Sequence, residues 1–200
     1  MPPSRAMKIR IEPGFAVFTL LVYALVGELV WPFFLAAGVH ELSHLAAVWL
    51  LGRKVKIVTL RFADAQIMTA PMGYAEEAAC ALAGPAANLL CCWLFRFWAP
   101  AFAALSLLLG CYNLLPVEPL DGGRALRAAI APVFGHDAAQ RASLAVSVCV
   151  CTALLLAAGY AAAFCGAGVW PLLAAGRLSL RLALLEGRRE KQVAFPAAGG

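Results

Sequence analysis

The feature that most restricts this chain is a succession of long apolar runs, at residues 14–31, 32–51, 78–98, 100–116, 140–164 and 168–186. A helix rising about 1.5 Å per residue needs about 20 apolar residues to cross a bilayer core. Backbone polar groups in lipid must be satisfied within the segment, which favours helices. The runs therefore predict an all-α polytopic membrane protein of about six transmembrane helices. Apolar residues make up 63% of the 200 and charged residues only 14%, against soluble norms of about 45–50% and about 25%. Most of the surface must then face lipid. The run at 100–116 is short and ends in prolines, which predicts that it stops inside the protein. The run at 168–186 carries Arg177 and Arg181 one helical turn apart, so a span and an interfacial helix both remain open for it.

The net charge of +5 sits at the ends of these runs. Arg5, Lys8 and Arg10 precede the first, Arg53, Lys54, Lys56 and Arg61 follow the second, and Arg188, Arg189 and Lys191 lie near the end of the chain. With a cytoplasmic N-terminus, alternate crossings put these clusters on one side, as the positive-inside rule requires, and the C-terminus there too. A basic groove with interleaved aromatics is lacking, so no nucleic-acid partner is expected. The seven cysteines all lie in or beside apolar runs and read as small hydrophobes rather than a disulfide framework. The basic start and the run from Phe15 to Val30 resemble a signal peptide. No small-residue cleavage site follows, and the run reads as a retained span.

Between the second and third runs, Val55–Phe62 is rich in β-branched and aromatic residues, and Pro71 and Gly73 close the segment. This predicts one or two short strands, on which an extended substrate segment would add as a further strand. The chain is expected to form one membrane-embedded domain over 1–200, with a core over about 32–131.

Within the second run stands "HELSH", placing His40, Glu41 and His44 among Ala, Val, Trp and Leu. A charged group at a bilayer centre costs some ~2.5–3.5 kcal/mol on the insertion scale, so such residues are retained for function. His40 and His44 are one helical turn apart and project from one face, the spacing that puts two imidazoles on one tetrahedral metal ion. Glu41 stands beside the first histidine without taking its place. H-E-x-x-H is the signature of zinc metalloproteases. The metal lowers the pKa of its bound water to about 7, and the carboxylate takes the proton.

A catalytic zinc site takes three protein ligands and leaves one position open. The candidates weighed for the third ligand are Glu28, Asp64, Glu76, Glu77, Asp121, His136 and Asp137. Asp121 has the most suggestive setting, "NLLPVEPLDGGR". Pro116 and Pro119 free the backbone from helical geometry, and Gly122 and Gly123 permit an unusual turn or close packing. That combination suits aiming one carboxylate inward.

At this point "HELSH" at 40–44, "GPAAN" at 84–88 and "NLLPVEPLDGG" at 113–123 resemble the site-2 proteases, zinc metalloproteases that cut substrates within the membrane. The last stretch agrees with that family's N-x-x-P-x-x-P-L-D-G-G pattern at every defined position. The resemblance implies one zinc ion per chain held by His40, His44 and Asp121, with Glu41 as general base. It implies a role for Asn113 in holding the substrate or the developing oxyanion. Asn88 is offered either as a substrate contact or as a buried interhelical hydrogen bond. The PDZ and CBS modules of many members are not expected here. The compact layout looks most like the sporulation branch, which processes a sigma-factor precursor. The implied activity is regulated intramembrane proteolysis of a membrane-associated substrate, such as a pro-sigma or anti-sigma factor, in a bacterial cell membrane. Inhibitory membrane proteins are the implied partners besides the bilayer. An inactive scaffold of the same fold and a membrane metal transporter or sensor are the competing readings.

Overall fold

A computed structural model describes residues 8–11, 23–24, 27–53, 55–61, 64–69, 71–166 and 168–194. Most of the first expected span, 14–31, lies outside the described residues, as does the end of the basic C-terminal tail. The described chain is dominated by six α-helices: α1 (Val30–Leu50), α2 (Tyr74–Phe95), α3 (Pro100–Asn113), α4 (Asp121–Phe134), α5 (His136–Phe164) and α6 (Trp170–Ala194). The expectation of an all-helical membrane fold holds, with a small sheet attached. The stretches 27–50, 74–95 and 136–164 are long and apolar enough to cross a membrane, whereas α3 is a shorter apolar helix. The chain divides into two compact units, residues 1–114 and 115–200.

In the first unit, α1 packs against α2 and α3, and α2 against α3. The arrangement of α1 is inside out compared with a soluble helix. Its buried stripe is Ala36, His40, His44 and Val48, at four-residue steps, while Leu35, Leu42, Trp49 and Leu50 point outward. Lipid takes the apolar face, so the interior is where polar groups can be kept. The facing stripe of α2 is Cys80, Gly84 and Asn88, and that of α3 includes Ala103, Ser106 and Gly110. Small residues on these stripes let the helix backbones approach closely, the main source of packing energy between helices in lipid. At Gly110, an added Cβ would stand 3.3 Å from both Asn88 Cβ and the Pro85 carbonyl oxygen.

Three strands complete the first unit: β1 (Lys8–Ile11), β2 (Val55–Arg61) and β3 (Asp64–Thr69). The order is β1-β2-β3. β1 runs parallel to β2 with Ile9 opposite Val58, and β3 is antiparallel to β2 with Val58 opposite Ile67. This corrects the expectation that Val55–Phe62 accepts a substrate strand. β1 and β3 occupy both edges of β2 over Ile57–Leu60, so a further strand has no place beside that stretch.

In the second unit, α4 and α6 each pack against α5. Of the unusual turn or close packing that Gly122 and Gly123 suggest, the structure has the second: Asp121 opens α4, and Gly123 packs tightly on the backbone of Val117 and Glu118. The glycines occupy its first turn, where the cost of backbone freedom is smallest, and Asp121 begins it, where an acid favours the helix dipole. Buried Ala139, Ser143, Ser147 and Cys151 form the inner stripe of α5, and Leu156, Tyr160 and Phe164 are exposed. Cys80 and Cys151 are buried as small hydrophobes, but Cys111, Cys149 and Cys165 lie on the outer helix surfaces.

Candidate metal centre

His40 and His44 stand in the middle of α1, and the neighbouring face of α2 fixes both rings from the far side. Nδ1–H of His44 donates to the Cys80 carbonyl oxygen at 2.7 Å. That bond places the proton on Nδ1 and leaves the Nε2 lone pair available. Pro85 stands in the same part of α2 and has no N–H to offer the Ala81 carbonyl.

His40 is held by Asn88, whose side-chain Nδ2 lies 3.3 Å from Nδ1. The two Nε2 atoms face each other at 3.2 Å, with the rings nearly perpendicular at 87°. Two imidazole nitrogens on one tetrahedral zinc, each at about 2.0–2.1 Å, would be about 3.3 Å apart. The observed spacing is therefore that of two ligands for one ion. The proton on Nδ1 makes His44 Nε2 the acceptor of this pair, and His40 Nδ1 lies within hydrogen-bond reach of the Asn88 side chain.

The surroundings fit a metal in two further respects. Ligation of His40 through Nε2 moves its proton to Nδ1, and that Nδ1–H then needs an acceptor. Asn88 supplies one. Its Oδ1 is buried and has no hydrogen-bond partner among the described residues, and rotating the amide presents it to Nδ1. An unpaired buried carbonyl costs about 1–3 kcal/mol, and metal loading would remove that cost. The second respect is space. A Cβ at Gly84 would lie 2.5 Å from His44 Nε2 and 2.8 Å from His40 Cε1. Only glycine leaves room beside the two rings. Asn88, which the sequence offers as a substrate contact or an interhelical bond, is fully buried against His40.

Glu41 is half-buried on α1, next in sequence to His40. Asn113, the last residue of α3, is also half-buried, and its Nδ2 donates to the Leu109 carbonyl oxygen one turn back at 3.0 Å. In the second unit, Asp121 is buried at the start of α4, with Arg124 Nη1 at 3.4 Å from its Oδ1. Each of the three expected ligands is thus a buried donor of metal-binding type.

The other donors weighed from sequence have different settings. Glu76 makes two bonds to Arg53 Nη2, at 2.8 and 2.7 Å, and reaches back to the Gly73 N–H at 3.0 Å, closing the start of α2. Glu28, His136 and Asp137 are exposed. Asp64 lies at the start of β3.

Against known proteins, residues 93–157 match the model of Peptidase family M50, a stretch that includes "NLLPVEPLDGG". Among solved structures, the chain is similar to the Site-2 Protease from Methanocaldococcus jannaschii, with a TM-score of 0.68 and 17% sequence identity. The likeness covers 92% of this chain and 93% of that one. No curated protein matches. The fold is that of this Site-2 Protease, and about a third of the chain matches the peptidase family model. The resemblance drawn from the three motifs is borne out at the level of the fold, and the family match takes in the third of them.

Proposed function

We propose that this chain is an intramembrane zinc metalloendopeptidase that hydrolyses a peptide bond in or near a transmembrane segment of a membrane-associated protein. The observation that carries the reading is the His40–His44 pair, with facing Nε2 atoms 3.2 Å apart and Nδ1 atoms engaged by Cys80 and Asn88. In this reading Asp121 is the third ligand. Two imidazoles and one carboxylate leave a position open, which distinguishes a catalytic zinc site from a closed structural one. A bound zinc ion supplies Lewis acidity toward the attacking water and the scissile carbonyl.

The chain's own residues do the rest. Glu41 takes the proton of the attacking water and passes it to the leaving amine. Asn113 steadies the substrate backbone or the oxyanion as charge develops. Arg124 holds one oxygen of Asp121 and so restricts its rotation. The apolar outer faces of α1 and α2 keep the histidines out of bulk water, where their interactions would be weaker.

The proposed setting is a bacterial cell membrane, crossed several times, with both termini cytoplasmic. The sporulation branch, a pro-sigma or anti-sigma factor as substrate, and an inhibitory membrane protein as partner are proposed from the motif resemblance.

The test uses the full chain in vesicles with a set of quenched fluorescent single-span peptides, beside a Glu41→Gln variant. The wild type should cleave at least one peptide and bind one zinc. Glu41→Gln should keep the zinc and lose about 10²–10⁴-fold in rate. Cleavage at the wild-type rate by Glu41→Gln would refute the role of Glu41. Zinc movement into the vesicles without peptide cleavage by either protein would favour a transporter.

A further inference from the structure

A second buried carboxylate, three residues before Asp121, has no part in the chemistry proposed above. Glu118 is only 4% exposed, a costly place for an acid unless its bonds are provided for. The inner stripe of α5 meets this residue at both backbone and side chain. The Glu118 backbone N–H donates to Ser147 Oγ at 3.0 Å, and that hydroxyl donates onward to the Ser143 carbonyl at 2.7 Å. The side chain is met by Ser143 Oγ, 3.2 Å from Oε1, and by Arg127 Nη1 on α4 at 3.8 Å.

Ser143 Oγ also lies 3.4 Å from the Gly123 carbonyl oxygen. Gly123 in turn lies so close to the preceding segment that a Cβ would fall 2.5 Å from the Glu118 nitrogen. The segment 115–120 has no regular secondary structure to hold it. Polar anchors reach it from α4 and α5.

We propose that Glu118 is a positioning residue for Asp121, clamping the segment onto the Ser143–Ser147 face of α5 so that α4 begins in one fixed place. The inference rests on Asp121 being a metal ligand, as proposed above. Glu118 touches neither metal nor substrate in this account. It acts through the backbone it holds, and its carboxylate accepts a hydrogen bond from Ser143 beside its ion pair with Arg127.

The experiment compares the full chain in detergent with Glu118→Ala, Glu118→Gln, Ser147→Ala and Asp121→Ala. Zinc affinity is read by competition with a chelator, the visible spectrum of the cobalt-loaded protein reports ligand geometry, and the unfolding midpoint is taken for the metal-free protein. Glu118→Ala should bind zinc about 10–100-fold more weakly, the range for losing support of a ligand, and its cobalt spectrum should shift. Glu118→Gln keeps an acceptor oxygen and should recover most of that loss. If Glu118→Ala does not fold, Ser147→Ala, which removes one bond to the same segment, decides the matter by the same two readouts.

Wild-type zinc affinity in the folded Glu118 or Ser147 variants, with affinity lost in Asp121→Ala, would overturn the proposal and leave the metal site standing. Equal weakening in Glu118→Ala and Glu118→Gln, following a lower metal-free midpoint, would also overturn it, because the residue would then serve the fold in general. Unchanged affinity in Asp121→Ala itself would instead remove the metal-site reading.

Discussion

α1 and the segment that leads into α4 both present polar side chains in an apolar surrounding, by opposite means. On α1 the presentation is periodic. His40 and His44 share a face because they are one turn apart, so the helix itself brings them together. Cys80 and Asn88 on α2 only select which nitrogen each ring offers. Asp121 comes at the end of an irregular stretch whose shape is fixed from outside, by Ser143, Ser147 and Arg127. A helix carries its own geometry, whereas a loop borrows it. Site precision should therefore depend on local space at the histidines and on distant hydrogen bonds at the aspartate.

The largest effect should come from filling the space beside the histidines. Gly84→Ala puts a methyl group at 2.5 Å from His44 Nε2, where one ring must move. Zinc affinity should fall by about 100-fold, the upper end for disturbed ligand support, although the packed helices remain. Affinity within threefold of wild type would mean that the rings have slack and that the glycine serves helix contact alone.

A smaller effect on metal is expected at Asn88. Asn88→Leu removes the acceptor for His40 Nδ1–H and should weaken zinc about 10-fold. Asn88→Asp keeps an acceptor oxygen at the same place and should restore most of the binding. Equal loss in both would show that the residue matters for packing rather than for the proton on His40.

The smallest effect on metal, with the largest on stability, should follow Gly123→Ala. Its Cβ meets backbone atoms of Val117 and Glu118 that cannot swing away. Overpacking of this kind costs about 1–3 kcal/mol, so thermal unfolding should begin earlier. Zinc affinity should fall only as far as the 115–120 segment shifts. An unchanged midpoint would contradict the close packing of that segment on α4.

The same contrast explains what could be read from sequence. The helices and the histidine pair follow from hydropathy and spacing, which are local properties. α4 was hidden because two glycines at its start signal a turn, yet in a first turn they cost little. β1 has only four residues, and its Lys8 and Arg10 look like the basic flank of a span. The buried bonds of Glu118 depend on Ser143 and Ser147, 25 and 29 residues away. No spacing rule pairs a loop acid with serines on a later helix. Asn88 was visible as a polar residue in an apolar run, but its partner on another helix was not.

The central claim, that two imidazoles and the Asp121 carboxylate hold one zinc, is tested most directly by X-ray absorption at the zinc edge on the wild type and Asp121→Ala. The account predicts two nitrogen ligands of imidazole type with oxygen completing the shell, all at about 2.0–2.2 Å. It also predicts a changed shell or lost zinc in Asp121→Ala. A sulfur ligand at about 2.3 Å, or identical spectra at equal zinc content in the two proteins, would contradict it.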